Sequence, residues 1–195
     1  MSEKLIVGLS GYARSGKNAA AEALVQHGWR QAAFADKLRE FLLAVNPVIP
    51  GPVGVGNLRL QLLIADVGWE YAKAHYPEVR ALHNRTGTDA GRKILGNNVW
   101  VDALFREHDD APALVISDVR FPNEAQAVAD RGGVLIRVER PGVSPARDRT
   151  GRIYESETAL DDWPFDHVLR NDDSVRALHV KLYGVAGLVQ LSQAV

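Results

Sequence analysis

An apolar, β-branched run, Lys4–Leu9, ends at Ser10 and passes directly into Gly11-Tyr12-Ala13-Arg14-Ser15-Gly16-Lys17-Asn18, after which helix formers begin. Few sequence features restrict a fold as tightly. The run reads as a buried strand, the glycines as a tight loop, and the segment from Lys17 to Gln26, closed near Gly28, as a helix. The spacing G-x-x-x-x-G-K has a mechanical meaning: glycines permit a path whose N–H groups point inward at phosphate oxygens, and the helix adds its positive N-terminal end. The lysine ammonium then reaches the phosphate being transferred. Gly11, Ala13, Arg14, Ser15, Gly16, Lys17, Asn18 and Ala19 are therefore candidates for holding the phosphates of a nucleotide. The bland alternative is a glycine turn before a helix, and the placement between an apolar strand and a helix favours nucleotide binding. Asn18 stands where a hydroxyl normally ligates Mg²⁺, and its amide oxygen can serve a hard cation in the same place, so a requirement for Mg²⁺ is expected.

The rest of the chain alternates strands and helices. Trp29–Ala35 reads as a second strand, with Asp36 at the N-cap of a helix over Lys37–Val45. Three prolines and three glycines (Pro47, Pro50, Gly51, Pro52, Gly54, Gly56) make Asn46–Gly56 a surface loop, a candidate flap. Leu58–Ala74 reads as a helix, His83–Asp89 as a polar segment, and helical sequence follows to about Glu107. Strands are then expected at Ala113–Ser117, Val134–Val138 and His167–Leu169. Helices are expected at Asn123–Arg131, near Ser156, and from Ser174 onward. Five strands alternating with helices predict a parallel sheet covered on both faces. Ligands of such sheets bind beyond the carboxyl ends of the strands, where Ser10, Asp36, Asp118 and Asn171 fall in this reading.

Composition bounds the possibilities. At 195 residues and 46% hydrophobic content one domain with a substantial core is expected. Lys and Arg number 23 against 24 Asp and Glu with no long single-sign block, which argues against a partnership with polymeric nucleic acid. The absence of cysteine excludes a disulfide framework, a thiolate metal site and a cysteine nucleophile. No apolar run approaches the ~18 residues of a membrane helix, and Leu5–Leu9 is too short for the core of a secretory signal, so a cytoplasmic protein without a membrane partner is expected.

Three further constellations could carry chemistry. Leu114-Val-Ile-Ser-Asp118 is an apolar strand ending in a carboxylate that could hold the metal, or could simply cap the next helix, and Arg120 beside it offers a fork for phosphate. Arg85, Thr88 and Arg92, with Trp100 further on, could hold an anionic, aromatic acceptor, or could be a solvated helix start with Trp100 in the core. The basic segment bearing Arg137, Arg140, Arg147, Arg149 and Arg152 reads as a lid over phosphates or as an ordinary loop. The six histidines show no metal-ligand spacing.

Taken together, Gly11–Lys17, Phe34-Ala35-Asp36-Lys37-Leu38, Arg85-Thr86-Gly87-Thr88 through Gly91-Arg92, Asn98–Asp102, Ser117-Asp118-Val119-Arg120-Phe121-Pro122-Asn123-Glu124-Ala125, Glu155-Ser156-Glu157 and Asn171 resemble the deoxynucleoside monophosphate kinases of bacteriophages, within the P-loop nucleoside monophosphate kinase group. The resemblance implies a P-loop NTPase fold with a five-stranded parallel sheet of order 2-3-1-4-5, ATP as donor with Mg²⁺, a deoxynucleotide acceptor and a closing lid. It implies one domain over residues 1–195, with a helical acceptor-binding region at 57–107 and a lid at 139–156. Lys17 would stabilise the transferring phosphate, Asp36 and Asp118 would organise metal or acceptor, and Arg92 and Arg120 would grip the acceptor phosphate, with Lys37 alongside. Arg140, as a catalytic cation, and Arg147 would act from the lid. Asn18 and Asp118 would hold the metal, and Asn171 would lie near the ATP base. The expected partners are small nucleotides in a bacterial host's cytoplasm, with a homodimer left open. The alternatives are a kinase of the same architecture for another phosphorylated acceptor, of the phosphomevalonate or dephospho-coenzyme A type, or an ATP-binding switch signalling through Asn46–Gly56.

Overall fold

The computed structural model describes residues 4–51, 56–147 and 151–185. In chain order the elements are β1 (Leu5–Ser10), α1 (Lys17–Val25), β2 (Arg30–Ala32), α2 (Phe34–Val45), β3 (Val48–Ile49), β4 (Leu58–Arg59), α3 (Leu60–His75), α4 (Pro77–Asn84), a π-helical segment (Arg85–Leu95) and α5 (Val99–Glu107). They continue with β5 (Ala113–Ile116), α6 (Pro122–Ala129), β6 (Val134–Glu139), α7 (Glu155–Thr158), β7 (His167–Arg170) and α8 (Val175–Tyr183). The chain divides into two compact units, residues 34–106 and the remainder on either side of them.

The larger unit is an α/β fold around a five-stranded sheet of order β2-β5-β1-β6-β7, parallel at every pairing. The small hairpin β3-β4 lies outside this sheet and takes two numbers, which is why the labels depart from the expected 2-3-1-4-5. Alternation along the strands feeds two faces. Val7, Leu9, Val115, Ile136 and Val138 pack with the alanines and Leu24 of α1 and with Leu178 and Leu182 of α8. On the opposite face Gly8 leaves room for α6, since a Cβ there would stand 2.9 Å from Leu135 and 3.3 Å from Val128. Each fully buried aliphatic side chain contributes about 1.5–3 kcal/mol. The sheet is thereby held rigid behind the loops at its carboxyl edge.

The 34–106 unit has a core of its own, with Leu38, Leu42, Ile49, Leu60, Leu63, Ala72, Val79 and Trp100 buried together. Several sequence expectations change here. Phe34 is buried and α2 starts with it, so Asp36 occupies the first turn of the helix instead of capping it, and β2 ends at Ala32. The proline-rich stretch contains strand β3, because Ile49 is 1% exposed and pairs with Leu58 while Leu60 N–H donates to the Pro47 carbonyl. Pro52 and Gly54 of that stretch lie outside the described residues. The helix expected over Leu58–Ala74 begins at Leu60 and is broken at Gly68, whose φ is +73°. The polar segment His83–Asp89 is helical, split between α4 and the π-helical segment.

The π-helical segment follows from two glycines spaced four apart. A Cβ at Gly87 would lie 2.8 Å from Leu38, and one at Gly91 would lie 2.7 Å from the Trp100 ring. At Gly91 the ring and the Thr86 carbonyl oxygen, 2.9 Å away, leave no room for a side chain, whereas at Gly87 the end of Leu38 would have to turn aside. Trp100 fixes it further by donating its indole N–H to the Gly87 carbonyl at 2.9 Å. Trp100→Phe removes that bond while keeping an aromatic ring in place, so a loss of about 0.5–1.5 kcal/mol is expected in urea unfolding, and an unchanged midpoint would contradict the brace.

Candidate active site

The loop between β1 and α1 is built on backbone that side chains resist. Gly11 has φ +135° and Gly16 φ +107°, and a Cβ would fall 2.2 Å from the Val138 carbonyl oxygen at the first and 2.3 Å from Asn171 Nδ2 at the second. Ser15 N–H donates to the Tyr12 carbonyl to close the turn, and Ala20 N–H donates to Gly16 at the first turn of α1. Arg14 is exposed at φ +68°, and Asn18 is exposed in the first turn of α1. The Ala19 carbonyl accepts from His179 Nε2 at 2.8 Å. Asn171, the first residue past β7, donates Nδ2 to the Ser15 carbonyl at 2.8 Å, so it braces the loop backbone.

Lys17 lies folded over this loop. Its Nζ donates to the Gly11 and Tyr12 carbonyls at 2.7 and 2.8 Å, and the residue is 8% exposed. Burial is the main cause that brings its pKa down to about 8; the nearby Arg120 adds to the fall, while Glu157 and Asp118 oppose it. These four charged side chains therefore sit within one electrostatic neighbourhood. In the same loop the Ser15 hydroxyl is buried and has no hydrogen-bond partner among the described residues. A buried, unused hydroxyl and an ammonium held by carbonyls alone are both suited to receiving anionic oxygen.

Two carboxylates tie the loop to the chain after α7 begins. Glu157 Oε2 accepts from Ala13 N–H at 2.8 Å, and Asp161 accepts from the Tyr12 hydroxyl at 3.1 Å. Arg137, one of the basic residues read as lid, is committed elsewhere: it pairs with Asp161 at 2.7 Å and lies 5.1 Å over the Tyr12 ring. Beside the loop opens a cavity of about 360 Å³, lined in part by Tyr12, Ser15, Arg140, Val143 and Arg170. Arg140 is exposed at the end of β6 and begins a turn closed by Val143 N–H on its carbonyl. Arg147 is exposed, bridges to Ile153 and donates to the Gly151 carbonyl at 2.8 Å, while Arg149 lies outside the described residues.

In the 34–106 unit the expected acceptor residues are spread along helices. Asp36 pairs with Arg39 at 3.3 Å and Lys37 with Glu40 at 2.5 Å. Arg85 pairs with Glu78, Thr88 is exposed, and Arg92 is half-buried. Trp100 is 8% exposed with its N–H already used, so it serves the core and does not present a face for stacking. A cationic group that the sequence reading missed is Arg39, Lys73 and Arg80 around Glu70, in which burial, and then the two arginines, pull Lys73 below the usual lysine value against the opposing pull of Glu70. The three cations come from α2, α3 and α4, and only Arg39, three residues after Asp36, lay near a motif that could have drawn notice.

No family model matches the chain. It is 29% identical over 199 residues, 91% of its own length and 94% of the relative's, to the Acanthamoeba polyphaga mimivirus protein named "Putative deoxynucleotide monophosphate kinase". Among solved structures it is similar to TT1252 from Thermus thermophilus, at 19% identity, 99% coverage of both chains and a TM-score of 0.49. A second, named as a putative kinase from Chloroflexus aurantiacus, aligns over 100% of both chains at 10% identity and a TM-score of 0.42. Among the described residues no helix is long and apolar enough to cross a membrane.

Two residues at the loop carry oxygens of the kind a hard divalent cation would take. Asp118, half-buried two residues past β5, supplies a carboxylate close enough to act on Lys17, and Asn18 supplies an exposed amide oxygen. Carboxylate and amide oxygens, completed by water, would be the ligand chemistry of Mg²⁺.

Proposed function

We propose that this protein is a kinase that transfers a phosphoryl group from ATP to a deoxynucleoside monophosphate, giving ADP and the deoxynucleoside diphosphate. The observation that carries the reading is the loop itself: strained glycines, the buried Lys17 ammonium and the unpartnered Ser15 hydroxyl gathered at the carboxyl edge of a parallel sheet. The viral relative's name supports the acceptor class. An oxygen of the acceptor phosphate attacks the γ-phosphorus as the bond to the β–γ bridging oxygen breaks, and ADP leaves with that electron pair. The chain's part is positioning and neutralisation.

Lys17 would exchange its two carbonyl partners for phosphate oxygens. Arg120 would meet the acceptor phosphate, and Arg140 would approach from the turn after β6. Asn18 and Asp118 would hold Mg²⁺, which when bound neutralises charge on the donor phosphates. Asp118→Asn should raise the Mg²⁺ concentration needed for half-maximal turnover by about tenfold, on the scale of losing a charged ligand oxygen. An unchanged Mg²⁺ titration would reduce Asp118 to a loop residue.

Because Lys17 titrates near 8 in the free protein, part of the population lacks the proton at that pH. A bound polyphosphate favours the charged form, so ATP binding near pH 8 should take up as much as about half a proton per site. Calorimetric titrations in buffers of different ionisation enthalpy measure this directly, and proton release or no exchange would contradict it. The acceptor is tested by ADP formation from ATP and Mg²⁺ with each of the four common deoxynucleoside monophosphates and their ribose counterparts. Stimulation by deoxynucleotides is expected. ADP formed at the same rate without any acceptor would favour a nucleotide switch instead.

A further inference from the structure

Arg120 is fixed at both its backbone and its side chain by buried glutamates. Its backbone N–H donates to Glu124 Oε2 at 2.7 Å, and its Nη1 donates to Glu157 Oε1 at 2.6 Å. Both glutamates are buried, at 2% and 9% exposed. Glu157 uses its second oxygen on the Ala13 N–H of the phosphate loop at 2.8 Å and on Ala146 N–H, in the arm leading back from the turn after β6, at 3.3 Å. Although burial works against its charge, the Ala13 N–H and Arg120 together hold its carboxyl below the usual glutamate range. One carboxylate thus fastens an arginine, the loop and the returning arm.

The arrangement is costly unless it does something for Arg120. Lys17 and Arg120 are like charges in one neighbourhood, and an untethered arginine would swing from the buried ammonium toward water. Glu157 offsets that repulsion and sets the direction of the guanidinium. Only one of the five N–H donors of an arginine is spent on Glu157, and the Arg120 side chain keeps 31% of its surface exposed. We propose that Glu157 is a positioning residue that holds Arg120 against the phosphate loop, so that the remaining N–H groups face the anionic group of the acceptor. The proposal rests on the kinase reading above and assigns a part to a residue that touches neither nucleotide.

Glu157→Gln is a selective probe. The amide oxygen can still accept from Ala13, while the amide nitrogen turns a donor toward the Arg120 donor. The expected result is a loss of at least about tenfold in kcat/KM for the acceptor, carried mainly by KM, since a misplaced group of this kind costs up to about 10²-fold. ATP affinity by calorimetry should change by less than about threefold. In an Arg120→Ala background the same substitution should add less than about twofold, because coupled residues are non-additive. Glu157→Asp, which keeps the charge on a shorter arm, should recover part of the loss and stands in if the glutamine variant does not fold. Nitrogen-detected NMR of the Arg120 guanidinium, assigned through Arg120→Lys, gives a readout apart from turnover: restricted rotation in the parent protein, released in Glu157→Gln. Equal losses in both backgrounds, or an ATP affinity that falls with the acceptor's, would overturn the proposal and leave Glu157 as a brace of the loop. Restricted rotation in a parent protein that uses no acceptor would instead sink the kinase reading, and the assigned role with it.

Discussion

Lys17→Ala is expected to lower turnover by at least about 10²-fold, the scale of losing one preorganised electrostatic group at the reacting centre. The free structure explains why folding should hardly notice. The ammonium gains two carbonyl hydrogen bonds but is desolvated enough to bring its pKa down to about 8. These contributions oppose one another, so removal of the side chain should shift the melting temperature by only a few degrees. An inactive variant that melts like its parent separates chemistry from stability. A variant with near-normal turnover would remove the loop from the mechanism.

Gly11→Ala should produce the largest loss of stability of any substitution that adds a single methyl group to the loop. At φ +135° the new Cβ would stand 2.2 Å from the Val138 carbonyl oxygen, part of β6 and unable to rotate aside. Backbone strain and overpacking together should cost on the order of 3–5 kcal/mol. Gly28→Ala is the matched control, with φ +83° and no atom within 4 Å of the new Cβ. It should cost only about 1–2 kcal/mol, the penalty of the left-handed conformation alone. Denaturant unfolding of the two variants side by side measures the difference, and equal losses would mean that the contact with β6 contributes nothing.

The sheet was readable from the sequence because its strands are short apolar runs punctuated by Gly, Ser and Asp. The glycine loop was readable because its pattern is local, contained between Gly11 and Lys17. What escaped was made by distant pairs. Nothing near Phe34 announces that its burial starts α2 and moves Asp36 off the cap position. Trp100 could be read as a stacking platform or as core, and only its bond to the Gly87 carbonyl decides how the side chain is used. Arg137 looked like one more lid cation until Asp161, 24 residues later, engaged it. The role of Glu157 depends on Ala13, 144 residues away, and no local pattern encodes that meeting.

The chain leaves the sheet-bearing unit after Ala33 and re-enters it at Glu107, so the whole 34–106 unit is an excursion between two neighbouring strands, β2 and β5. Each unit closes its own apolar interior. The pairing of β2 with β5 is made by residues outside the intervening stretch, which joins them at two splice points. Substitutions between those splice points can therefore accumulate at a pace of their own, without retuning the apolar interior behind the glycine loop.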